Sequence, residues 1–406
     1  MYSLLSDLRI IEASSFVASP SAGLYLAQLG ATVIRVDPIG GGPDFRRWPK
    51  SREGASFYWE GLNKAKKSVA IDLARPEGRE LLERLAAAPG ENAGLLLTNY
   101  PFDGFLSYER LKALRPDIVI ARIMGRPDGG SALDYTVNCA LGLPMLTGPA
   151  FLKEPVNHVL PAWDLLTGAL AAFALLAAER RRRETGEGSE ARIPLSDVGI
   201  ATLANLGMLA EVLCEGRDRP RYGNDVFGAF GRDFVTADGK RLMIVALTAK
   251  QWRALVDTLG MSAEVARIEA ERGVSFAIDE GERFMHRDAL VPLVADRVAK
   301  RRAAELVDAL QKAGGCVGLY QTLAEAAKDR MLVSDNPIFA EAMGPSGFAA
   351  PTPGSPITFA GEVRERPAPA VRLGAHTEEV LADVLQLGAS EIAALFDQKI
   401  VAGAHG

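Results

Sequence analysis

In the amino-terminal part of the chain, short apolar runs alternate with segments whose apolar residues recur at helical spacing. Residues 8 to 37, LRIIEASSFVASPSAGLYLAQLGATVIRVD, predict a strand, a loop, a helix, a turn and a second strand, with Gly30 placed to end the helix. This is a βαβ unit. KKSVAIDL, AGLLLTNYP and IVIARIMG read as further strands, and PEGRELLERLAAA, opened by its proline, and SYERLKALRP as the helices between them. Strands alternating with helices predict an α/β fold built on a mostly parallel, doubly wound sheet.

The texture changes at DRPRYGND, Asp218 to Asp225, where charge and turn formers crowd together as they do at domain boundaries. Beyond it, DFVTADGKRLMIVAL predicts a hairpin turning at Asp238-Gly239. KQWRALVDTLG and later amphipathic segments predict helices up to about Gly314. Pro351 to Pro369 is proline-rich and expected to be extended, before a last helix pair from Thr377 to Ile400. The expected organisation is a first unit up to about residue 210 and a second, smaller unit beginning near residue 222.

At 406 residues the chain is long for one hydrophobic core, in keeping with two compact units. A net charge of -5, with both signs interspersed, offers no basic face to nucleic acid and no polybasic patch to a membrane. A small molecule or another protein is the expected partner. Cys139, Cys214 and Cys316 lack the spacing of a disulfide framework or a zinc site, and the first residues lack the pattern of a signal peptide. The longest apolar run, Leu165 to Ala178, falls short of a membrane span and reads as a buried helix. These features predict a cytoplasmic protein.

The βαβ start invites a dinucleotide reading, and Asp37 ends the second strand where an acidic residue would hold a ribose. The loop SSFVASPSAG opposes it, because its serines, valine and proline stand where glycines must let the backbone approach a pyrophosphate. Serine-hydrolase chemistry lacks its GxSxG, and His158, His286, His376 and His405 have no evident serine partner. No HExxH or carboxylate cluster suggests a metal. A carboxylate remains as the most plausible nucleophile. Asp164, in NHVLPAWDLLTGALAAF, stands where a proline-broken segment gives way to the apolar run. It is either the N-cap of a helix or a carboxylate kept ionised by the helix end and able to attack, and spacing leaves both open.

A set of segments resembles the class III CoA-transferase family nearly end to end. They are LAQLGATVIRVDP, GLNKAKKSVAIDL with PEGRELL, TNYP, GLPMLTGP, ERRRRETGEG with DVGIA, YGND before VTADGKRLMIVAL, and RLGAHTEEVLADVLQLG. The resemblance implies a Rossmann-like large domain over residues 1–210 to which a carboxyl-terminal part, 326–406, returns, a smaller α+β domain over 222–325, an interlinked homodimer, and acyl or CoA transfer through Asp164. CoA would be part of the substrate, with no tightly bound cofactor. The family's racemase chemistry is not expected, since Leu133 and Arg232 stand where its histidine and glutamate would fall. DPIGGGPDFRRWP, GRPDGGSALDYTVN, VNHVLPAWD and GAFGRDF resemble a narrower branch that shifts CoA between the two carboxyls of one mesaconate. The rivals are an intermolecular CoA transferase, a non-catalytic CoA-binding protein and an NAD enzyme.

Within that resemblance, Arg47, Arg126 and Arg232 are candidates to hold the distal carboxylate, because a guanidinium binds both oxygens of one carboxylate. Tyr135 and His158 would orient the substrate or satisfy buried hydrogen bonds. Gly228 and Gly231 suit a mobile cover. For CoA, the implied contacts are Val17, Ala18, Ile71, Leu73, Asn99 and Tyr100, with Lys64, Lys67 and Arg75 toward its phosphates.

Overall fold

The computed structural model describes residues 1–404; His405 lies outside them. Two compact units are present. The first comprises Met1–Leu141, His158–Cys214 and the chain from Arg330 onward, and the second Gly142–Asn157 and Glu215–Asp329.

In chain order the first elements are β1 (Arg9–Ala13), α1 (Ala18–Gln28), β2 (Thr32–Pro38), α2 (Phe57–Leu62), β3 (Lys67–Ile71), α3 (Pro76–Ala86), β4 (Leu95–Thr98), α4 (Tyr108–Leu114), β5 (Val119–Met124) and α5 (Asp134–Ala140). The short α6 (Leu143–Leu146) belongs to the second unit, and α7 (Ala162–Thr185), β6 (Ser189–Pro194), α8 (Leu195–Asn205) and α9 (Met208–Glu215) follow. The six strands are parallel in the order β3-β2-β1-β4-β5-β6, and Val401–Ala402 adds antiparallel to the free edge of β3. Strand order reverses between β1 and β4, so the loops leaving their carboxyl ends diverge and open a crevice. The central strands are buried on both faces, which is why they read as unbroken apolar runs. Leu81, Leu82 and Leu85 of α3 and Val380, Leu381 and Ile392 near the carboxyl end cover one face over Ile11, Ile34, Val69 and Ile120.

The run expected to be a buried helix is buried on one side only. Thr167, Gly168, Ala171, Ala172 and Leu175 of α7 face the fold, while Leu166, Leu170 and Phe173 are exposed, Phe173 to 71%. By length and composition α7 could also cross a membrane, contrary to the count made on the apolar run alone, but it packs on α1 and β5 within the first unit. Its small residues permit a close approach. A Cβ placed on Gly168 would lie 2.1 Å from Ser21 Oγ and 2.5 Å from the Ala18 carbonyl oxygen.

The second unit is α+β. β7 (Phe230–Val235) and β8 (Arg241–Ala246) form the expected hairpin, with Gly239 in its turn at φ 72°. Helices α10 (Ala249–Leu259), α11 (Ser262–Arg272), α12 (Glu280–Met285), α13 (Arg287–Val298) and α14 (Ala303–Lys312) precede β9 (Cys316–Leu319), which pairs antiparallel with β8. Phe230, Trp252, Phe276, Leu290 and Leu306 build its core. Gly142–Asn157 is held in this unit by Arg221, whose guanidinium donates to the carbonyls of Pro144, Met145, Leu152 and Glu154. Gly228 lies in a loop, but Gly231, expected in the same mobile cover, is a residue of β7 opposite Val245. Its lack of a side chain admits Val226, which a Cβ would meet at 2.5 Å.

Replacing Gly168 by Val is expected to destabilise the first unit by about 2 kcal/mol or more, since backbone as well as a side chain must move. Denaturant unfolding checks this; a midpoint within error of the parent would mean that α1 and α7 separate freely.

Candidate active site

A cavity of about 780 Å³ opens at the carboxyl ends of β1, β4 and β5, at the reversal of strand order. The loop after β1 contributes Ser15 to Ala18, the loop after β4 Asn99 and Tyr100, and the start of α5 Asp134 and Tyr135; Arg47, Tyr58 and Asp164 also line it. Asn99 ties two of these loops together by accepting from the Ser15 amide at 3.3 Å and donating to the Ser15 carbonyl at 3.0 Å.

Asp164 is not the cap of its helix. Pro161 precedes α7, Asp164 is the third helical residue, and the amide-capping role belongs to a carboxylate from another helix. Asp134 Oδ2 accepts from the amides of Trp163 at 2.7 Å and of Asp164 at 3.1 Å. Its Oδ1 lies 2.6 Å from His158 Nε2. Asp134 is only 2% exposed, so these are its partners rather than water. The His158 ring meets Tyr135 edge-on at 5.7 Å, and the Tyr135 hydroxyl donates to the Val159 carbonyl at 3.4 Å. With the helix amides already taken, the Asp164 carboxylate is left facing the cavity.

The same arrangement reverses the electrostatic expectation. A bare helix end would favour the ionised acid, but burial raises the Asp164 pKa to about 6. The Asp134 carboxylate pushes it further in that direction, and Arg47 pulls it back. Asp164 is therefore mainly ionised at neutral pH yet more basic than an ordinary carboxylate. Arg47 lies among aromatic rings, its guanidinium 5.4 Å from the Tyr58 ring centroid and 5.9 Å from that of Phe16. Burial pushes the Tyr58 hydroxyl up to about 12, so it remains a donor.

The cavity thus brings together Asp164, Arg47, Tyr135, Val17, Ala18, Asn99 and Tyr100. His158 stands behind it through Asp134. Arg126 is turned to Asp128, at 3.3 Å, and does not line the cavity. Ile71 and Leu73 face the hydrophobic core. Lys67 opens β3 at its amino end, opposite the strand ends that form the cavity, and pairs with Glu379. Arg75 donates to the Gln398 carbonyl at 2.8 Å and pairs with Glu77. Lys64 is half-buried, which lowers its ammonium to about 8. Arg232 is a residue of the second unit, paired with Asp225 at 3.1 Å. Asp37, which the second strand offers to a ribose, is fully buried against Arg35 and unavailable to one. Asp134 and Tyr58 went unrecognised as site residues. Asp134 lies in a segment that marked only the family register, and nothing in the sequence joins it to the amino end of α7.

A carboxylate and a cation at such a crevice are compatible with group transfer, and the chain belongs to CoA-transferase family III, whose model matches residues 5–377. It is 48% identical over 405 residues to the 2-methylfumaryl-CoA isomerase of Chloroflexus aurantiacus, with 99% of each chain covered. It is 28% identical to the succinate–glutarate CoA-transferase of Agrobacterium fabrum, covering 94% of this chain and 95% of that one. A crystal structure of a CaiB/BaiF family protein from Brucella suis matches with a TM-score of 0.75 at 26% identity, over 95% of this chain and 100% of that one.

The raised Asp164 pKa makes stability pH-dependent. The folded state binds this proton more tightly than the unfolded chain. The corresponding stability is complete below the ordinary value of 3.8 and lost as pH rises through about 6. Asp164→Asn, which mimics the protonated acid, is expected to melt with the parent near pH 4 and above it near pH 7.5. Calorimetry at both pH values checks this; an equal gap at the two would contradict the raised value.

Proposed function

We propose that this enzyme is a 2-methylfumaryl-CoA isomerase, an intramolecular transferase that moves CoA between the two carboxyls of mesaconate through a covalent Asp164 intermediate. The observation that carries the reading is the Asp164 carboxylate, relieved of capping by Asp134 and opening into the cavity beside Arg47. The 48% identity to the Chloroflexus isomerase supports the choice of substrate.

The chemistry balances with no external reactant. The ionised carboxylate of Asp164 attacks the thioester carbonyl, the C–S bond breaks, and a mixed anhydride and CoA thiolate result. The thiolate attacks the aspartyl carbonyl of the anhydride, releasing mesaconate as a carboxylate and leaving CoA as an aspartyl thioester. The other carboxylate of mesaconate then attacks that thioester, giving the alternative anhydride and thiolate. Attack of the thiolate on the mesaconyl carbonyl restores Asp164 and places CoA at the opposite end.

Each step needs an anion held against another anion, and Arg47 is the cation at hand. A guanidinium on aromatic faces serves a planar carboxylate while resisting rotation. Val17, Ala18, Asn99 and Tyr100 would contact the CoA portion, and Tyr135 the mesaconyl portion. His158 would act on the site through Asp134. For Lys64, Lys67, Arg75, Ile71, Leu73, Arg126 and Arg232 the geometry of the single chain adds no support for a substrate contact. A homodimer is part of the proposal: a second copy would cover Leu166, Leu170 and Phe173 of α7, Ile200 of α8 and Leu206 at its end, all exposed in one chain. Cys139, Cys214 and Cys316 form no disulfide among the described residues, which supports a reducing, cytoplasmic setting.

Asp164→Ala is expected to lower isomerisation of mesaconyl-CoA by about a thousandfold or more while leaving ester binding intact. Regioisomers followed by chromatography and binding by calorimetry check this, and an active alanine variant would end the covalent route. Arg47→Met is expected to weaken mesaconyl-CoA binding by about tenfold or more, while a monocarboxylic acyl-CoA of similar size loses far less. Equal losses would assign Arg47 to CoA or the fold. Intermolecular transfer, the activity named for the Agrobacterium relative, is separated by isotope. With excess labelled free mesaconate, the isomerised ester should stay nearly unlabelled, and label entering at the isomerisation rate would favour the intermolecular reading.

A further inference from the structure

Five ionisable side chains are buried together in the first unit without lining the cavity: Glu12 of β1, Arg35 and Asp37 of β2, Asp44 beyond β2 and Lys66 before β3. Arg35 lies 2.8 Å from Glu12, 2.7 Å from Asp37 and 3.5 Å from Asp44, and Lys66 lies 2.8 Å from Glu12. Three carboxylates thus share two cations away from water, an arrangement that is costly unless its geometry is tightly held. Gly42 leaves no slack, since a Cβ there would sit 3.1 Å from Asp44 Oδ1 and 3.5 Å from Asp37 Oδ1.

Asp44 connects this cluster to the cavity. Its Oδ2 accepts the backbone amide of Phe16 at 3.0 Å. Phe16 has φ 69°, in the left-handed region that a residue with a Cβ enters only when its surroundings hold it there. The residues that follow, Val17 and Ala18, line the cavity and lead into α1. On its other side, the Asp44 carbonyl accepts the Arg47 amide at 3.1 Å, and the Arg47 carbonyl accepts from Ser56 Oγ at 2.6 Å. One buried carboxylate with its own carbonyl therefore sets both the strained loop and the arginine opposite Asp164.

We propose that Asp44 is a positioning residue for the transfer reaction: anchored by Arg35, it clamps Phe16 in its left-handed conformation and fixes the Arg47 segment across the cavity. The role rests on the reading of Asp164 as nucleophile. Asp44 itself touches no reacting atom.

The test combines amide hydrogen exchange with a double-mutant cycle, on the full-length protein. In the native protein the Phe16 amide should exchange slowly although its side chain is partly exposed. In Asp44→Ala it should exchange about tenfold faster or more, and in Asp44→Asn, which keeps an acceptor oxygen, near the native rate. On mesaconyl-CoA, Asp44→Ala should lower kcat by about ten- to a hundredfold. Phe16→Gly removes the backbone strain, so the kcat loss caused by Asp44→Ala should be several-fold smaller in that background. Unchanged exchange at Phe16 in Asp44→Ala, or an equal kcat loss in both backgrounds with the folded fraction matched, would overturn the clamp. So would fast exchange of the Phe16 amide in the native protein, a result that needs no variant to fold. A native enzyme that does not turn over the ester counts instead against the functional reading and the reaction role, and the exchange rates still report on the clamp.

Discussion

The Asp134 carboxylate at the amino end of α7 decides what Asp164 can be. An aspartate that caps its own helix commits its oxygens to backbone amides and is a poor nucleophile. Here a second carboxylate, brought in by α5, takes the amides of Trp163 and Asp164 itself. That leaves the Asp164 side chain an open face, and its burial, with the Asp134 charge beside it, raises its proton affinity. His158 completes the arrangement by occupying the other Asp134 oxygen, which holds this buried carboxylate at the amino end of α7.

Around that centre the first unit repeats one physical device, the buried charge that holds a loop. Arg122, fully buried, pairs with Glu190 of β6 and donates to the carbonyls of Tyr100, Pro101 and Leu106, fixing the loop after β4. Arg35 anchors Asp44, and through it the loop after β1. Loops held this way can line a cavity without the apolar packing that would fill it. Burying the charges is costly, and a partly paired charge in such a place is costlier still. The site's shape is therefore coupled to the stability of the unit.

The sheet was legible in the sequence because its strands are covered on both faces and read as uninterrupted apolar runs between helical patterns. β6 was not, since SEARIP, half-buried at the edge of the sheet, lacks the uninterrupted apolar run of the inner strands and is too short for its alternation to stand out. The inclusion of Gly142–Asn157 in the second unit was also hidden, because the bonds from Arg221 to four carbonyls leave no periodic trace. At the cavity, Asp164 was legible as a candidate from its place at the start of a helix of small residues and from family register. Its electrostatics were not, because helix polarity predicts a lowered pKa and only the fold reveals its burial and the acid at its side. Of the proposed CoA and substrate contacts, those in the loops after β1 and β4 reached the cavity. Lys67, Ile71 and Leu73 did not, as adjacency to a strand says nothing about which end or face a side chain occupies.

The edge of the sheet beyond β3 is closed from far along the chain. Val401 and Ala402 pair with Ile71 and Ala70, and Thr377 Oγ1, accepting from the Ala70 amide across 307 residues, donates at 2.7 Å to the Ala402 carbonyl. A contact of that sequence separation carries a large loop-closure entropy and forms late. Until it does, β3 presents an unpaired apolar edge able to template pairing with another chain. The distal segment thus acts as a covalently attached guard strand, one that the nascent chain lacks while most of the sheet is being made.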